Sequence, residues 1–206
     1  MIELYISSLI TFFVVIDPPG CAPIYAGLTT GADAHQRRAM AVRAVLVASA
    51  ILLVFALFGE ALLKGLGINL ASFRIAGGIM LFLIALEMVF EKRTERREDR
   101  AAKVAATPEV EDVSIFPMAM PMIAGPGSIA SVMLLMGRTQ GLEASLVVLG
   151  SLATILLLTL LALLAAGPIM RVLGAKIEAV ITRLLGVLLA ALAVQFVIDG
   201  VRISLT

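Results

Sequence analysis

Apolar residues run along this chain in six stretches, 4–28, 41–63, 70–90, 114–136, 142–169 and 179–203, each interrupted by few charges. About 20 mostly apolar residues suffice for a helix to cross the hydrocarbon core of a bilayer, so each stretch predicts one transmembrane helix. The connections are short except for 91–113, which opens with Glu91-Lys92-Arg93-Thr94-Glu95-Arg96-Arg97-Glu98-Asp99-Arg100 and carries the turn-favouring Thr107-Pro108 further on. This block divides a single membrane domain, 1–206, into a first three-helix half at 1–90 and a second at 114–206. Its composition favours helix and its opposite charges recur at helical spacing, but the reading adopted is a solvated cytoplasmic linker.

Two of the six stretches contain residues that a continuous helix should not hold. Asp17-Pro18-Pro19-Gly20 lies near the centre of the first, and Gly125-Pro126-Gly127 near the centre of the fourth, where Pro117 and Pro121 precede it and Ser128 follows. Proline removes a backbone donor and clashes with the preceding turn. Backbone groups freed in hydrocarbon cost several kcal/mol each, so such segments must face protein, water or a ligand. We therefore expect helices 1 and 4 to be broken at mid-membrane, with each restarting half-helix presenting open amides and a partial positive end to an anionic group.

The breaks are related by a constant offset. Pro19 to Pro126 and Gly20 to Gly127 are each 107 positions apart, Gly59 and Gly167 are 108 apart, and the Arg74/Gly77 and Arg183/Gly186 pairs are 109 apart. An ordered series with so small a drift argues for duplication. Because each half holds an odd number of spans, the second copy enters the membrane upside down. Inverted-topology repeats of this kind place a site where the copies meet near the bilayer midplane.

Composition supports the membrane reading and narrows the chemistry. Hydrophobic residues make up 61% of the 206 and charged ones 15%, with a mean hydropathy of +1.07, far from the roughly 25% charge of soluble domains. The net charge of +1 comes from 16 basic and 15 acidic residues, a balance that points away from nucleic acid. With one cysteine, Cys21, and one histidine, His35, there is no intrachain disulfide and no zinc-ligand spacing. No metal, cofactor or catalytic constellation is expected, and no enzyme activity.

Basic residues in short loops stay in the cytoplasm. Arg37, Arg38, Arg43, Lys92, Arg93, Arg96, Arg97, Arg100, Lys103, Arg171, Lys176 and Arg183 fall on one side, against Lys64, Arg74, Arg138 and Arg202 on the other. Both termini are accordingly expected outside the cytoplasm.

Asp17 is the most informative single residue. A carboxylate at the centre of a span costs about 3 kcal/mol on insertion scales and usually marks a pathway, a proton relay or a paired site. Asp before Pro is also a favoured helix start, so Asp17 reads equally as a cap, and the two roles are compatible. Among the other polar residues, Glu60 and Lys64 read as an interfacial pair, Glu87 as snorkelling or lining, Asp199 as a partner of Arg202, and Arg74 and Arg183 as interface anchors. Gly77-Gly78 and Gly186 read as close helix contacts.

The stretch FFVVIDPPGCAP from Phe12 to Pro23, the Arg37-Arg38 segment and PMIAGPGSI from Pro121 to Ile129 resemble the MarC family of six-span bacterial and archaeal membrane proteins, over essentially the whole chain. That family is grouped with exporters of the LysE type, and some relatives are described as small neutral amino-acid transporters. The resemblance implies a helical, transporter-like protein of the cytoplasmic (inner) membrane whose substrate is not specified.

Taken together, the residues and the resemblance predict a secondary transporter that moves small neutral amino acids or similar metabolites, mainly outward, by alternating access. The site residues expected are Asp17, Pro18 and Gly20 at the first break and Gly125, Pro126, Gly127 and Ser128 at the second. Without a G-x-x-x-x-G-K-[ST] nucleotide motif, energy would come from an ion gradient, with a coupling proton or sodium ion and Asp17 its first candidate carrier. Partners are then the substrate and the lipid bilayer, with a homo-oligomer left open. The competing expectation is a membrane scaffold or accessory subunit that transports nothing and whose breaks only shape its packing.

Overall fold

The structure is a computed structural model that describes residues 1–105 and 112–205. Every regular element among them is helical: α1 Ile2–Ile16, α2 Pro18–Leu28, α3 Ala34–Gly65, α4 Leu70–Val89, α5 Lys92–Ala105, a wide π-type coil at Ser114–Ile123, α6 Pro126–Met136, α7 Leu142–Leu164 and α8 Ala166–Leu205. Five helical stretches are long and apolar enough to span a membrane, α1 and α2 together making the first. A sixth arises if the π-type coil and α6, bent by 51° at the break between them, count as one.

Local sequence explains where these elements start and stop. Asp17 sits between α1 and α2 in the left-handed region, φ 59° and ψ 65°, a conformation Asp tolerates better than most residues. The residue before a proline is pushed out of the α region, which ends α1, while Pro18 is preorganised for the first turn of α2. Asp33 and Gln36 form a reciprocal capping box that opens α3, worth about 1 kcal/mol. Asn69 caps α4 through a 2.6 Å hydrogen bond from Ser72 N. Between them Gly67 turns the chain at φ 70°, where a side chain would be strained.

The fourth span is less regular than the first. Within Ser114–Ile123, Phe116 and Met120 have extended backbone, and Pro117 and Pro121 follow them. Each proline forces its predecessor out of helix, so this half of the span winds as a wide, interrupted coil.

Packing brings the broken segments to the centre. The most extensive helix pair is α4 with α8, while α1 and α2 lie against α7, and α3 lies against the π-type coil and α6. Small residues allow the α4/α8 approach: a Cβ at Gly78 would stand 2.8 Å from the Ala193 carbonyl oxygen, and one at Gly186 would stand 2.8 Å from Met88 Cβ. Close backbone approach through glycine is how helices associate where lipid offers no hydrophobic drive. Phe12, Ile16, Cys21, Ala22, Ile123 and Ala124 are fully buried, so the backbone of both breaks is sheltered by protein. Large apolar side chains such as Leu46, Phe58, Leu146 and Leu184 point outward, the pattern of a lipid-facing surface.

The polar block adds one feature to the expected linker. Lys92–Ala105 is a helix that packs against α2, α4 and the π-type coil; Lys92, Glu95, Arg96, Glu98 and Asp99 are exposed, but Arg97 is buried. The physical reason is an acidic partner inside the bundle.

Candidate functional site

Asp17 is held at the junction of α1 and α2 by its own backbone geometry. Its Oδ1 accepts a 3.1 Å hydrogen bond from Gly20 N, and its carbonyl accepts from Cys21 N at 3.0 Å. Pro18 and Pro19 have no N–H to offer. The start of α2 is therefore already satisfied, and the open amides expected there are absent. Gly20 makes this possible, since a Cβ at that position would come within 2.3 Å of Asp17 Oδ2.

The second oxygen of Asp17 meets a cation from the polar block. Arg97 Nη1 donates to Asp17 Oδ2 at 3.0 Å, the two side chains being 10% and 2% exposed. Buried charges are retained only when paired and hydrogen-bonded, and stranding one of a pair costs about 3–5 kcal/mol. This interaction bridges 80 positions. It gives α5 its place in the fold.

Around the second break the arrangement is more open. A cavity of about 800 Å³ is lined by Val15, Glu87, Arg96 and Arg97 together with Gly125, Pro126, Gly127 and Ser128. Helix α6 begins at Gly125 without a side-chain cap, so its first amides lack the carboxylate that α2 has. Ser128 Oγ donates to the Ile123 carbonyl at 2.7 Å, and Gly127 approaches Val15, to which a Cβ would stand at 3.3 Å. Arg96 pairs with Glu87 at 2.6 Å, placing a second ion pair at the cavity wall. Arg97 belongs to both regions, because it binds Asp17 and lines the cavity.

The model of the MarC family of integral membrane proteins matches residues 2–205. The chain belongs to the MarC family. It is 36% identical to a UPF0056 membrane protein of Methanocaldococcus jannaschii, with 98% of this chain and 97% of that protein covered. It is 34% identical to the UPF0056 membrane protein YvbG of Bacillus subtilis, at 98% and 96% coverage. To the UPF0056 inner membrane protein YhgN of Escherichia coli K12 it is 33% identical, at 96% and 95% coverage. No solved structure matches it. Family and helices together make it a multi-pass integral membrane protein.

Against this MarC-family background, the seven residues expected at the site fall into two groups. Asp17, Pro18 and Gly20 form the capped junction, and Gly125, Pro126, Gly127 and Ser128 line the cavity. The residue that sequence reasoning missed is Arg97, counted there only as a loop cation. A signal existed: an intramembrane carboxylate calls for a partner, and the helix-forming polar block supplies cations. Glu60 and Lys64 pair at 2.8 Å as expected, Glu87 lines the cavity, and Arg183 meets Glu91 at 2.5 Å. Asp199, expected to meet Arg202, has its oxygens engaged by Arg138 and by Gln195 Nε2.

Proposed function

We propose that this protein is an ion-gradient-driven secondary transporter that exports small neutral amino acids or similar metabolites by alternating access. The observation that carries the reading is a buried carboxylate, Asp17, neutralised by Arg97 at 3.0 Å, with that same arginine lining a cavity against the uncapped start of α6. A zwitterion suits both poles: its carboxylate faces the positive end of α6 at Gly127 and Ser128, and its ammonium competes with Arg97 for Asp17. The state described here is then one in which Arg97 occupies the cation position.

Two further features support the reading. The Ile16 carbonyl accepts from Cys21 Sγ and the Ile123 carbonyl from Ser128 Oγ, so equivalent bonds recur at the 107-residue offset, as two inverted three-helix repeats, 1–90 and 114–206, would produce. Both termini lie outside the cytoplasm on this reading, and α5 reaches the site from the cytoplasmic side. A proton or sodium ion on Asp17 couples transport to the gradient.

The test is flux of radiolabelled glycine and alanine in proteoliposomes under an imposed pH or sodium gradient, comparing the native protein with Asp17→Asn. Gradient-driven flux that the substitution abolishes is expected. Absence of flux for both amino acids in the native protein contradicts the substrate assignment, and undiminished flux in the variant reduces Asp17 to a helix cap.

A further inference from the structure

A second polar site lies at the end of the bundle that carries both chain termini, well separated along the helices from the breaks. Arg74 at the start of α4, Arg138 in the α6–α7 connection and Arg202 near the end of α8 line one pocket of about 530 Å³, with Asp199 the single carboxylate among its described lining residues. Three guanidinium groups from three elements thus line one pocket. Asp199 is already engaged, its Oδ2 by Arg138 and its Oδ1 by Gln195 Nε2 at 2.8 Å.

Arg74 is the residue that these contacts leave incomplete. It is 8% exposed and its Nη2 donates to the Gly137 carbonyl at 2.9 Å, yet its Nε is buried without a hydrogen-bond partner. A buried, unpaired guanidinium N–H carries a desolvation penalty that a bound acceptor would remove. Arg138 Cζ lies over the Phe196 ring, 4.2 Å from its centroid, a cation–π contact. Burial pushes the Arg138 guanidinium down from its usual range, Asp199 offsets this in part, and the charge on Arg74 adds repulsion. Positive charge is therefore concentrated where Arg74 and Arg138 meet.

We propose that this pocket binds a phosphate group, with Arg74, Arg138 and Arg202 as its donors. A tetrahedral oxyanion presents several oxygens in different directions, which suits guanidinium forks arriving from three elements better than a planar carboxylate does. The pocket sits where the apolar stretches of α4 and α8 end, so the phosphate of an anionic lipid headgroup is the nearest such group on this reading. The same chemistry also accepts free phosphate.

Thermal unfolding of the full chain in mild detergent tests this, with short-chain phosphatidylglycerol, short-chain phosphatidylcholine, inorganic phosphate and sodium chloride of matched ionic strength as additives. Stabilisation by phosphatidylglycerol above the other three is expected, with the lipid retained in native mass spectrometry. Equal stabilisation by inorganic phosphate also supports the pocket but assigns it to free anions. Arg202→Gln, at an exposed position, should weaken the midpoint concentration about tenfold, the loss of one charge-assisted contact. It also serves if Arg74→Gln fails to fold through loss of its bond to Gly137. No stabilisation by any phosphate-bearing additive beyond chloride, or an unchanged midpoint concentration in Arg202→Gln, overturns the proposal.

Discussion

The two breaks are built on one plan and finished differently. Ile16, Gly20 and Cys21 at the first correspond, 107 positions on, to Ile123, Gly127 and Ser128 at the second. In each, the side chain five residues after the isoleucine reaches back to its carbonyl, at 3.5 Å from Cys21 Sγ and 2.7 Å from Ser128 Oγ. The positions between differ: Asp17 and Pro18 at the first, Ala124 and Gly125 at the second, before the shared Pro19 and Pro126. Asp17 closes the start of α2 upon itself and draws in Arg97, whereas α6, lacking any such group, starts uncapped beside a cavity. The carboxylate of Asp17 thus goes with a closed, charged junction, and Ala124 in its place with an uncapped one beside the cavity.

Removing Arg97 is the severest way to break this comparison. Arg97→Leu strands Asp17 in a buried setting and should cost about 3–5 kcal/mol in unfolding experiments in detergent. The double change Asp17→Asn with Arg97→Leu should recover much of that loss, because no uncompensated charge remains. A double variant as unstable as the single one would mean the pair is incidental to the first break.

The glycines give a second, intermediate effect. Alanine at Gly20 or at Gly127 should destabilise by about 1–3 kcal/mol, since a Cβ would meet Asp17 Oδ2 at 2.3 Å in the first case and Ile84 Cδ1 at 2.6 Å in the second. What separates the breaks is the background. In an Asp17→Ala protein the Gly20→Ala penalty should largely disappear while that of Gly127→Ala persists. Equal penalties in both backgrounds would show that Gly20 is not required by the Asp17 carboxylate.

The smallest difference concerns the side chains that reach back. Ser128→Ala leaves the Ile123 carbonyl without its hydroxyl donor and should cost about 1 kcal/mol. Cys21→Ala should cost less, because a thiol is a weaker donor. The reverse order would indicate that the second break draws its support from elsewhere.

Much of the fold was legible in the sequence because bilayer thickness imposes a length on every span. The apolar stretch 70–90 became α4 at Leu70–Val89, and 142–169 became α7 at Leu142–Leu164 followed after one residue by α8. Proline and glycine likewise marked the junctions at Asp17 and Gly125, since they act through local backbone geometry. The role of 91–113 was not legible. Lys, Arg and Glu are almost never buried unless paired, and the pairing that buries Arg97 spans 80 positions. An intramembrane carboxylate signals that a cation must meet it, but local pattern does not say which residue of the polar block does so. The same limit hid the absence of open amides at α2, which depends on where the Asp17 carboxylate turns once the chain is folded.

The central claim is that Arg97 on α5 closes the first break while the second stays open to the cavity. The single cysteine, Cys21, lies fully buried one turn beyond Asp17, on a helix against which α5 packs. The most direct test is the rate at which a small hydrophilic maleimide labels Cys21 in the folded protein, compared with Arg97→Ala and with Ser128→Cys in a Cys21→Ser background. We predict slow labelling of the native thiol, a clear acceleration in Arg97→Ala that returns to slow when lysine replaces arginine, and faster labelling at position 128 than at Cys21. Identical rates at Cys21 with and without Arg97, in variants that retain the native fold, would contradict it.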